Sequence, residues 1–415
     1  TNELEKDTIF VVSKQNEKFK DIAINGDFEL LNSSELKNYL DMSSIKIIGV
    51  TGTNGKTTTA STIYKILLNL GYKVALQGTR GFFINEICVE DYSLTTPVQL
   101  GNFINIQKAI QNSCQYFVME VSSHAIEQNR IEGLDFALKI HTNITRDHLD
   151  YHKTIEEYIR VKNLFLSDES KKLINIDDKV VKFNPINAFT YSLENSSNFK
   201  VIKYELTDSM NVEFLYENKN YKYSTNMMGI FNIYNLIASI AAVHITTNEK
   251  LENICKVVEK FSSISGRMEI VSTKPLVIVD FAQTPDVMDE VLKMFPNKEI
   301  ICVFGAGGNR DALKRPLMGE VAKKYSKHIV VTSDNPRFEE PKKIIEDILN
   351  GINDKSNVIV IEDRKEALKK AINLANDKSV VLILGKGDES AQIIGDKKFE
   401  FSDKDEVLKI LEARV

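Results

Sequence analysis

The four cysteines of this chain, Cys88, Cys114, Cys255 and Cys302, are scattered, and no two form a CxxC pair. That spacing argues against a disulfide framework or a structural zinc site and favours a reducing compartment. Charge of one sign is also in short supply, since 53 basic against 58 acidic side chains leave a formal net charge of -5. Nothing global advertises nucleic acid or an anionic membrane as a partner, so a polyanionic ligand would have to be held by local clusters of Arg and Lys. No unbroken apolar run approaches the roughly 18–20 residues that span a bilayer. The opening stretch, TNELEKDTIF, lacks the basic start and apolar core of a secretory signal. There is no short-period repeat and no low-complexity tract. The expectation is a cytoplasmic monomer without nucleic-acid or membrane partners.

What the sequence does hold is 43% hydrophobic and 27% charged residues over 415 positions, a globular composition long enough for two or three domains. Residues 1–44 carry one strand-like run, TIFVVS, and one helix-like run, NSSELKNYL, too little for an independent core. Strands and helices then alternate. IKIIGV leads into a helix with Ala60, Ile63, Ile66, Leu67 and Leu70 at helical spacing and a stop at Gly71; YKVALQGT, YFVMEVSS and FALKIHTNIT follow. Such alternation points to a mostly parallel sheet. Between about 180 and 226, AFTYSL, FKVIKYEL, VEFLYEN and YKYST read as antiparallel hairpins. After SSISGR, the best candidate for a hinge, a second alternation begins with LVIVDF, EIICVFGAG, HIVVTS, NVIVIED and VVLILGKG. The fold class is therefore α/β in three domains. These are a short N-terminal α/β unit at 1–44, a central phosphate-loop ATPase-like parallel sheet with a small antiparallel subregion at 45–264, and a Rossmann-like unit at 265–415.

The stretch IIGVTGTNGKTTTA, residues 47–60, sets a Gly-rich turn between an apolar strand and a helix. The usual phosphate-loop pattern would have a glycine at Val50, and the glycines stand at Gly49 and Gly52 instead. The context still collects backbone N–H groups and a helix N-terminus at one point, which suits a phosphate chain. Gly52, Thr53, Asn54, Gly55, Lys56, Thr57 and Thr58 are the candidate ATP contacts, with Lys56 along the β/γ-phosphates and the Thr57 hydroxyl on Mg²⁺. Glu120 ends an apolar strand, where open α/β sheets bind ligands; it could be a second metal contact or a helix cap. HTNITRDHLDYH holds His141, His148 and His152. Without an HExxH pattern or a soft ligand nearby, one imidazole beside a Mg²⁺–phosphate site is a better reading than zinc. Lys162, in EEYIRVKNLF, reads by itself as a solvated helix lysine. In the last third, VDFAQTPD, GAGGNRD, KRP, SDNPR and GKGDE are polar clusters that follow apolar strands and so gather on one sheet edge. Arg310, Arg315 and Arg337 concentrate guanidinium groups there, suited to bidentate carboxylate or phosphate recognition. A nucleotide loop in one domain and an arginine-rich edge in another imply an ATP-driven joining reaction across a cleft.

The series GVTGTNGKTTT, TTP, MEVSSHAIEQNRI, TNITRDHLDYH, DNPR and GKGDE, in that order from about residue 45 to 395, resembles the Mur ligases. These are ATP-dependent amide-forming enzymes of peptidoglycan precursor synthesis, and the chain is most similar to their diaminopimelate-adding members. The resemblance implies that a precursor carboxylate attacks the γ-phosphate of ATP, that an incoming amine takes the acyl phosphate, and that a tetrahedral intermediate expels phosphate. It also implies roles for residues. Lys56, Glu120, His148 and Lys162 would be catalytic. Thr57, Glu120, His148 and Lys162 would hold Mg²⁺, with Lys162 as a CO₂ adduct, N6-carboxylysine. Asn232, Asn235, Arg267 and Asp280 would join the ATP contacts. Thr95, Thr96, Ser122, Gln128 and Arg130 would hold UDP-MurNAc-L-Ala-D-Glu, and Arg310, Asp334, Asn335, Arg337, Gly385 and Glu389 would hold meso-diaminopimelate. Lysine in that place would set an ammonium against Arg337 where a carboxylate belongs. The alternatives are a lysine-adding or other Mur ligase, a folylpolyglutamate synthase, or a nucleotide switch that ligates nothing. The chain departs from the family pattern at Gln283 and Asp388, both histidine positions. It departs also in its short N-terminal unit, so no uridine contacts are assigned in residues 1–44.

Overall fold

The computed structural model describes residues 8–91, 94–206, 209–261 and 263–413. The strand that leads into the Gly-rich turn, Lys46–Thr51, is buried from Ile47 onward on both faces, the pattern of an interior strand of a parallel sheet. It pairs in parallel with Tyr116–Glu120 and Phe136–His141, and Val50 stands opposite both Glu120 and Ile140. The sheet has eleven strands. Val74–Gly78, Gly81–Ile84 and Ile87–Glu90 extend one side; Lys172–Asn175, Ala188–Ser192, Phe199–Leu206, Met210–Tyr216 and Lys219–Thr225 extend the other. The expectation of hairpins from residue 180 is corrected at its first member, because Ala188–Ser192 pairs in parallel with both neighbours. Tyr191 draws that strand into the parallel core: its ring is buried and its hydroxyl donates to His141 O at 2.9 Å. Antiparallel pairing begins only at Phe199–Leu206.

The helix after the turn, Lys56–Asn69, stops before Gly71 as its spacing implies, but it does not bury a single stripe: Thr57 through Tyr64 are all buried. A second helix, Ile230–Thr247, packs against it. By length and composition this second helix is apolar enough to cross a membrane, contrary to the expectation from unbroken runs. Here Ile233, Leu236, Ile237, Ile240 and Val243 are fully buried in the core of the central sheet. At the N-terminus, strands Ile9–Val12 and Glu29–Asn32 pair in parallel beside helix Lys20–Asn25. The helix expected over NSSELKNYL is a 3₁₀ segment, Ser33–Asn38, capped reciprocally by Asn32 and Glu35. Its buried side chains, Ser33 and Leu36, are three apart, which aligns them on a three-residue turn. Leu36 joins Ile47, Phe82 and Phe117 in one cluster, so this unit shares its core with the central sheet.

The second sheet has the order Glu269–Thr273, Leu276–Asp280, Ser379–Leu384, Glu299–Phe304, His328–Val331, Val358–Val360, parallel except for the first pair. A buried ion pair anchors the last helix, Asp403–Glu412, behind it. Arg364 Nε and Nη2 donate to the two Asp403 carboxylate oxygens at 2.7 Å each, and neither side chain has exposed surface. Arg364 Nη2 also donates to Leu384 O at 3.1 Å. Removing one partner leaves the other charged and dry, so Arg364→Ala should destabilise this sheet by ~3–5 kcal/mol. The apolar double replacement Arg364→Met/Asp403→Leu should recover most of the loss. Urea unfolding followed by circular dichroism reads both, and an unchanged midpoint in Arg364→Ala would contradict the assignment.

Candidate functional site

The carboxyl ends of both sheets open onto one cleft of about 970 Å³, where open α/β sheets bind ligands. On one wall the Gly-rich turn is held by a loop at 142–145, part of the HTNITRDHLDYH motif but given no role by the sequence. Thr53 N donates to Asn143 O at 2.7 Å, Asn54 N to Asn143 Oδ1 at 3.0 Å, and Thr142 Oγ1 to Asn54 O at 2.6 Å. Gly52, at φ +150°, makes this approach possible, because a Cβ there would lie 1.8 Å from Thr142 Oγ1. The available signal was HTNIT, polar residues directly after an apolar strand.

Thr57 and Glu120 are brought together at the end of the turn. Thr57 Oγ1 donates to Glu120 Oε2 at 3.0 Å, and Thr79 N donates to Oε1 at 2.9 Å. Glu120 is 2% exposed; burial pushes its carboxyl above the usual range while Lys56 pulls it down. Lys56 Nζ folds onto Gly52 O at 2.8 Å and Thr53 O at 3.0 Å, and desolvation lowers its pKa against the pull of Glu120. A hydroxyl and a carboxylate are the hard oxygen donors that Mg²⁺ takes, so the pair fits that ion. Lys162 overturns its reading as a solvated lysine. It is 1% exposed on helix Ile155–Leu164, and its Nζ donates to Gly52 O at 2.7 Å. Burial first, and the charge of Lys56 second, hold its pKa well below the ordinary lysine value.

The three histidines of HTNITRDHLDYH do not converge. His141 Nε2 lies 2.7 Å from Asp178 Oδ2, His152 Nε2 shares a hydrogen bond of 2.9 Å with Ser123 Oγ, and His148 lines the cleft beside Asp147. Among the described residues no three His, Cys, Asp or Glu side chains gather into a metal cluster. Asn235 lines the cleft, accepting from Thr59 Oγ1 at 3.3 Å; Asn232 lies behind it and accepts from Asn235 Nδ2 at 3.1 Å. Asp280 and Arg267 close this end. The Arg267 guanidinium stacks 4.0 Å from the Phe281 ring centre, and its Nη1 is buried without a hydrogen-bond partner among the described residues. An orphaned guanidinium donor facing a cleft is an open position for an anion.

Arg310, Asp334, Asn335, Arg337 and Glu389 line the opposite wall, with Gly385 packed on Asp334. Arg337 donates to two carbonyls, Gly308 O at 2.9 Å and Asn335 O at 3.4 Å; burial, then the like charge of Arg310, lower its pKa. Lys386, not singled out by the sequence, is fully buried and ties the wall together, donating to Asn335 Oδ1 at 3.1 Å and Glu389 Oε2 at 3.0 Å. Arg315, grouped with the other arginines by sequence, is corrected. It is 1% exposed on the inward face of helix Lys314–Tyr325 and pairs with Asp347 at 2.8 Å and Glu339 at 2.9 Å. Of the precursor candidates, Thr95 lines the cleft. Thr96, Ser122, Gln128 and Arg130 form one network beside it: Thr96 Oγ1 donates to Glu120 O at 2.9 Å and accepts from Ser122 N at 3.0 Å. Arg130 Nη1 donates to Thr96 O at 2.8 Å and its Nε to Gln128 Oε1 at 2.9 Å.

Two family models cover this architecture, the Mur ligase middle domain at residues 50–243 and the Mur ligase glutamate ligase domain at 266–387. The chain belongs to the Mur ligase family. It is 48% identical over 410 residues to a UDP-N-acetylmuramoyl-L-alanyl-D-glutamate–2,6-diaminopimelate ligase of Helicobacter pylori, covering 97% of this chain and 92% of that one. A protein of the same name from Wolinella succinogenes is 49% identical over 381 residues, 92% and 88% of the two chains. A solved structure of a ligase of that name superposes with a TM-score of 0.68 at 30% identity, covering 100% of this chain and 93% of the other. As a Mur ligase the chain is an ATP-dependent, amide-forming enzyme. Both departures from the family pattern have partners here: Gln283 Nε2 donates to Gly385 O at 2.9 Å, and Asp388 Oδ2 accepts from Arg80 Nε at 2.9 Å.

In this Mur ligase, burial and then the neighbouring His152 push the His124 imidazole down from 6.5 to about 4. Its folded pKa is depressed, so the stability it contributes is complete above pH 6.5 and is lost as pH falls toward and through 4. His124→Phe should therefore flatten the fall in melting temperature between those limits. Differential scanning fluorimetry measures this, and parallel curves for the two proteins would refute it.

Proposed function

We propose that the chain joins meso-diaminopimelate to UDP-MurNAc-L-Ala-D-Glu in the cytoplasm, with units 1–44, 45–264 and 265–415 serving precursor, ATP and amino acid. The observation that carries this reading is the placing of two unlike walls across one cleft. Lys56, Thr57 and Glu120 stand on one, and Arg310 and Arg337 stand on the other. The precursor's terminal carboxylate oxygen attacks the γ-phosphorus as the bond to the β–γ bridging oxygen breaks and ADP departs. The amine of diaminopimelate then attacks the acyl phosphate carbon, loses a proton, and the tetrahedral intermediate expels phosphate. A carboxylate oxygen is a poor leaving group and phosphate a good one, so the protein's task is alignment and charge neutralisation.

Lys56 moves from its two loop carbonyls to the phosphate oxygens. Arg267 turns its unpartnered Nη1 to the nucleotide. Thr57 and Glu120 would hold Mg²⁺, which would supply charge neutralisation for the phosphate chain; His148 stands in the same cleft. Burial leaves Lys162 with a depressed pKa, and a neutral amine can add CO₂ and release a proton, becoming an anionic carbamate beside that site. Arg310 and Arg337 grip the distal carboxylate of diaminopimelate, and Asn335, held by Lys386, orients it with Asp334, Gly385 and Glu389. Thr95, Thr96, Ser122, Gln128 and Arg130 hold the precursor.

Phosphate release should require ATP, precursor and meso-diaminopimelate together; release of the same size without the amine would remove the ligase assignment. Arg337→Ala should lower kcat/KM for meso-diaminopimelate by roughly 10⁴-fold, the scale of a polar site that loses its partner, while ATP binding by calorimetry stays unchanged. Lys162→Ala should abolish turnover and regain part of it with added acetate. Full activity in that variant would dispose of the carbamate.

A further inference from the structure

Thr79 and Arg80 form the turn between strands Val74–Gly78 and Gly81–Ile84, at the rim of the nucleotide wall. They belong to none of the motifs above, yet the turn holds both walls. Thr79 N donates to Glu120 Oε1 at 2.9 Å and Thr79 Oγ1 to Oε2 at 3.3 Å. The next residue, Arg80, donates Nε to Asp388 Oδ2 at 2.9 Å across 308 positions of sequence. The two side chains are 24% and 14% exposed, so the pair is partly withdrawn from solvent screening. Asp388 lies between Lys386 and Glu389, in the loop that shapes the diaminopimelate wall. The hinge closes against that loop, because a Cβ on Gly266 (φ +65°) would fall 2.0 Å from Asp388 N. Asp388 stands where the family pattern has histidine. An aspartate offers Arg80 two carboxylate oxygens as acceptors, where an imidazole offers at most one ring nitrogen.

We propose that Arg80 and Asp388 are a positioning pair that links closure of the two walls to the setting of Glu120. This rests on the reading of Glu120 as a metal-holding carboxylate. When the Gly385–Glu389 loop comes up to the nucleotide wall, Asp388 fixes Arg80, the turn is held, and the two Thr79 donors keep the Glu120 oxygens aimed past Thr57. In the open arrangement the turn loses its outer anchor, and Glu120 is held by the nucleotide wall alone. Neither Arg80 nor Asp388 lines the cleft, so each substrate should still bind an open enzyme, and the step that suffers is the one needing both walls together.

The test is a double-mutant cycle of Arg80→Gln and Asp388→Asn in the full chain. Each single variant should lower kcat by roughly tenfold, within the range of coupled neighbours, and should raise the Mg²⁺ concentration for half-maximal turnover. The ATP dissociation constant should stay within about twofold of wild type, since both losses act after binding. The double variant should be no worse than either single one. Small-angle scattering with a non-hydrolysable ATP analogue, precursor and Mg²⁺ gives a reading apart from activity. Wild type should compact, and both single variants should stay more extended. Additive losses in kcat, or single variants that turn over and compact like wild type, would overturn the pair's role. Wild type that forms no product from ATP, precursor and meso-diaminopimelate would instead overturn the proposed function.

Discussion

Two lysine side chains, Lys56 and Lys162, donate to a single backbone oxygen, Gly52 O, at 2.8 and 2.7 Å. Burial lowers the pKa of both ammonium groups, and the charge of Lys56 lowers that of Lys162 further. Glu120 and Asp147 offset part of that charge. The turn therefore concentrates positive charge that an anion would relieve. The surrounding architecture follows from keeping it so. A strand buried on both faces delivers the turn, a helix buried along most of its length leaves it, and the loop at 142–145 clamps it from the side.

Across the cleft the same physics recurs between two arginines. Arg337 and Arg310 stand close enough for one to lower the pKa of the other, a repulsion that a shared carboxylate removes. Lys386 and Arg364 do different work although both are fully buried. Lys386 fixes Asn335 and Glu389 within the wall, and Arg364 pins the last helix to the back of the sheet. Arg315 shows that an arginine beside a site need not face it, since its two carboxylate partners lie behind the wall. The protein thus presents cationic groups on both walls of one space, Lys56 on one and Arg310 and Arg337 on the other, which suits anionic groups on two different reagents.

Much of this was legible in residue order. Parallel strands read from IKIIGV, YFVMEVSS and LVIVDF were found as such, because an interior strand must be apolar on both faces and so announces itself locally. The strand AFTYSL was misassigned because its partners are decided by where the Tyr191 ring finds a core, a contact that local alternation does not encode. The strand Gly81–Ile84, the edge strand Ile87–Glu90 and the hairpin Ala391–Ile394 with Lys397–Glu400 are not legible in the sequence; all are four residues long, and Ile87–Glu90 and Lys397–Glu400 are wholly exposed and carry no apolar period.

By itself the sequence determined the alternation of strand and helix, the Gly-rich turn with Lys56 and Thr57 behind it, and the set of polar clusters that follow apolar strands. Each of these depends on neighbours a few residues away, whose spacing is written in the chain. The tertiary structure alone decided that Lys162 is buried beneath Gly52, that Arg315 turns away while Arg337 faces the cleft, and that Asp388 finds Arg80. In each case the place of a charged side chain is set by what buries it and what pairs with it, and those groups come from distant parts of the sequence.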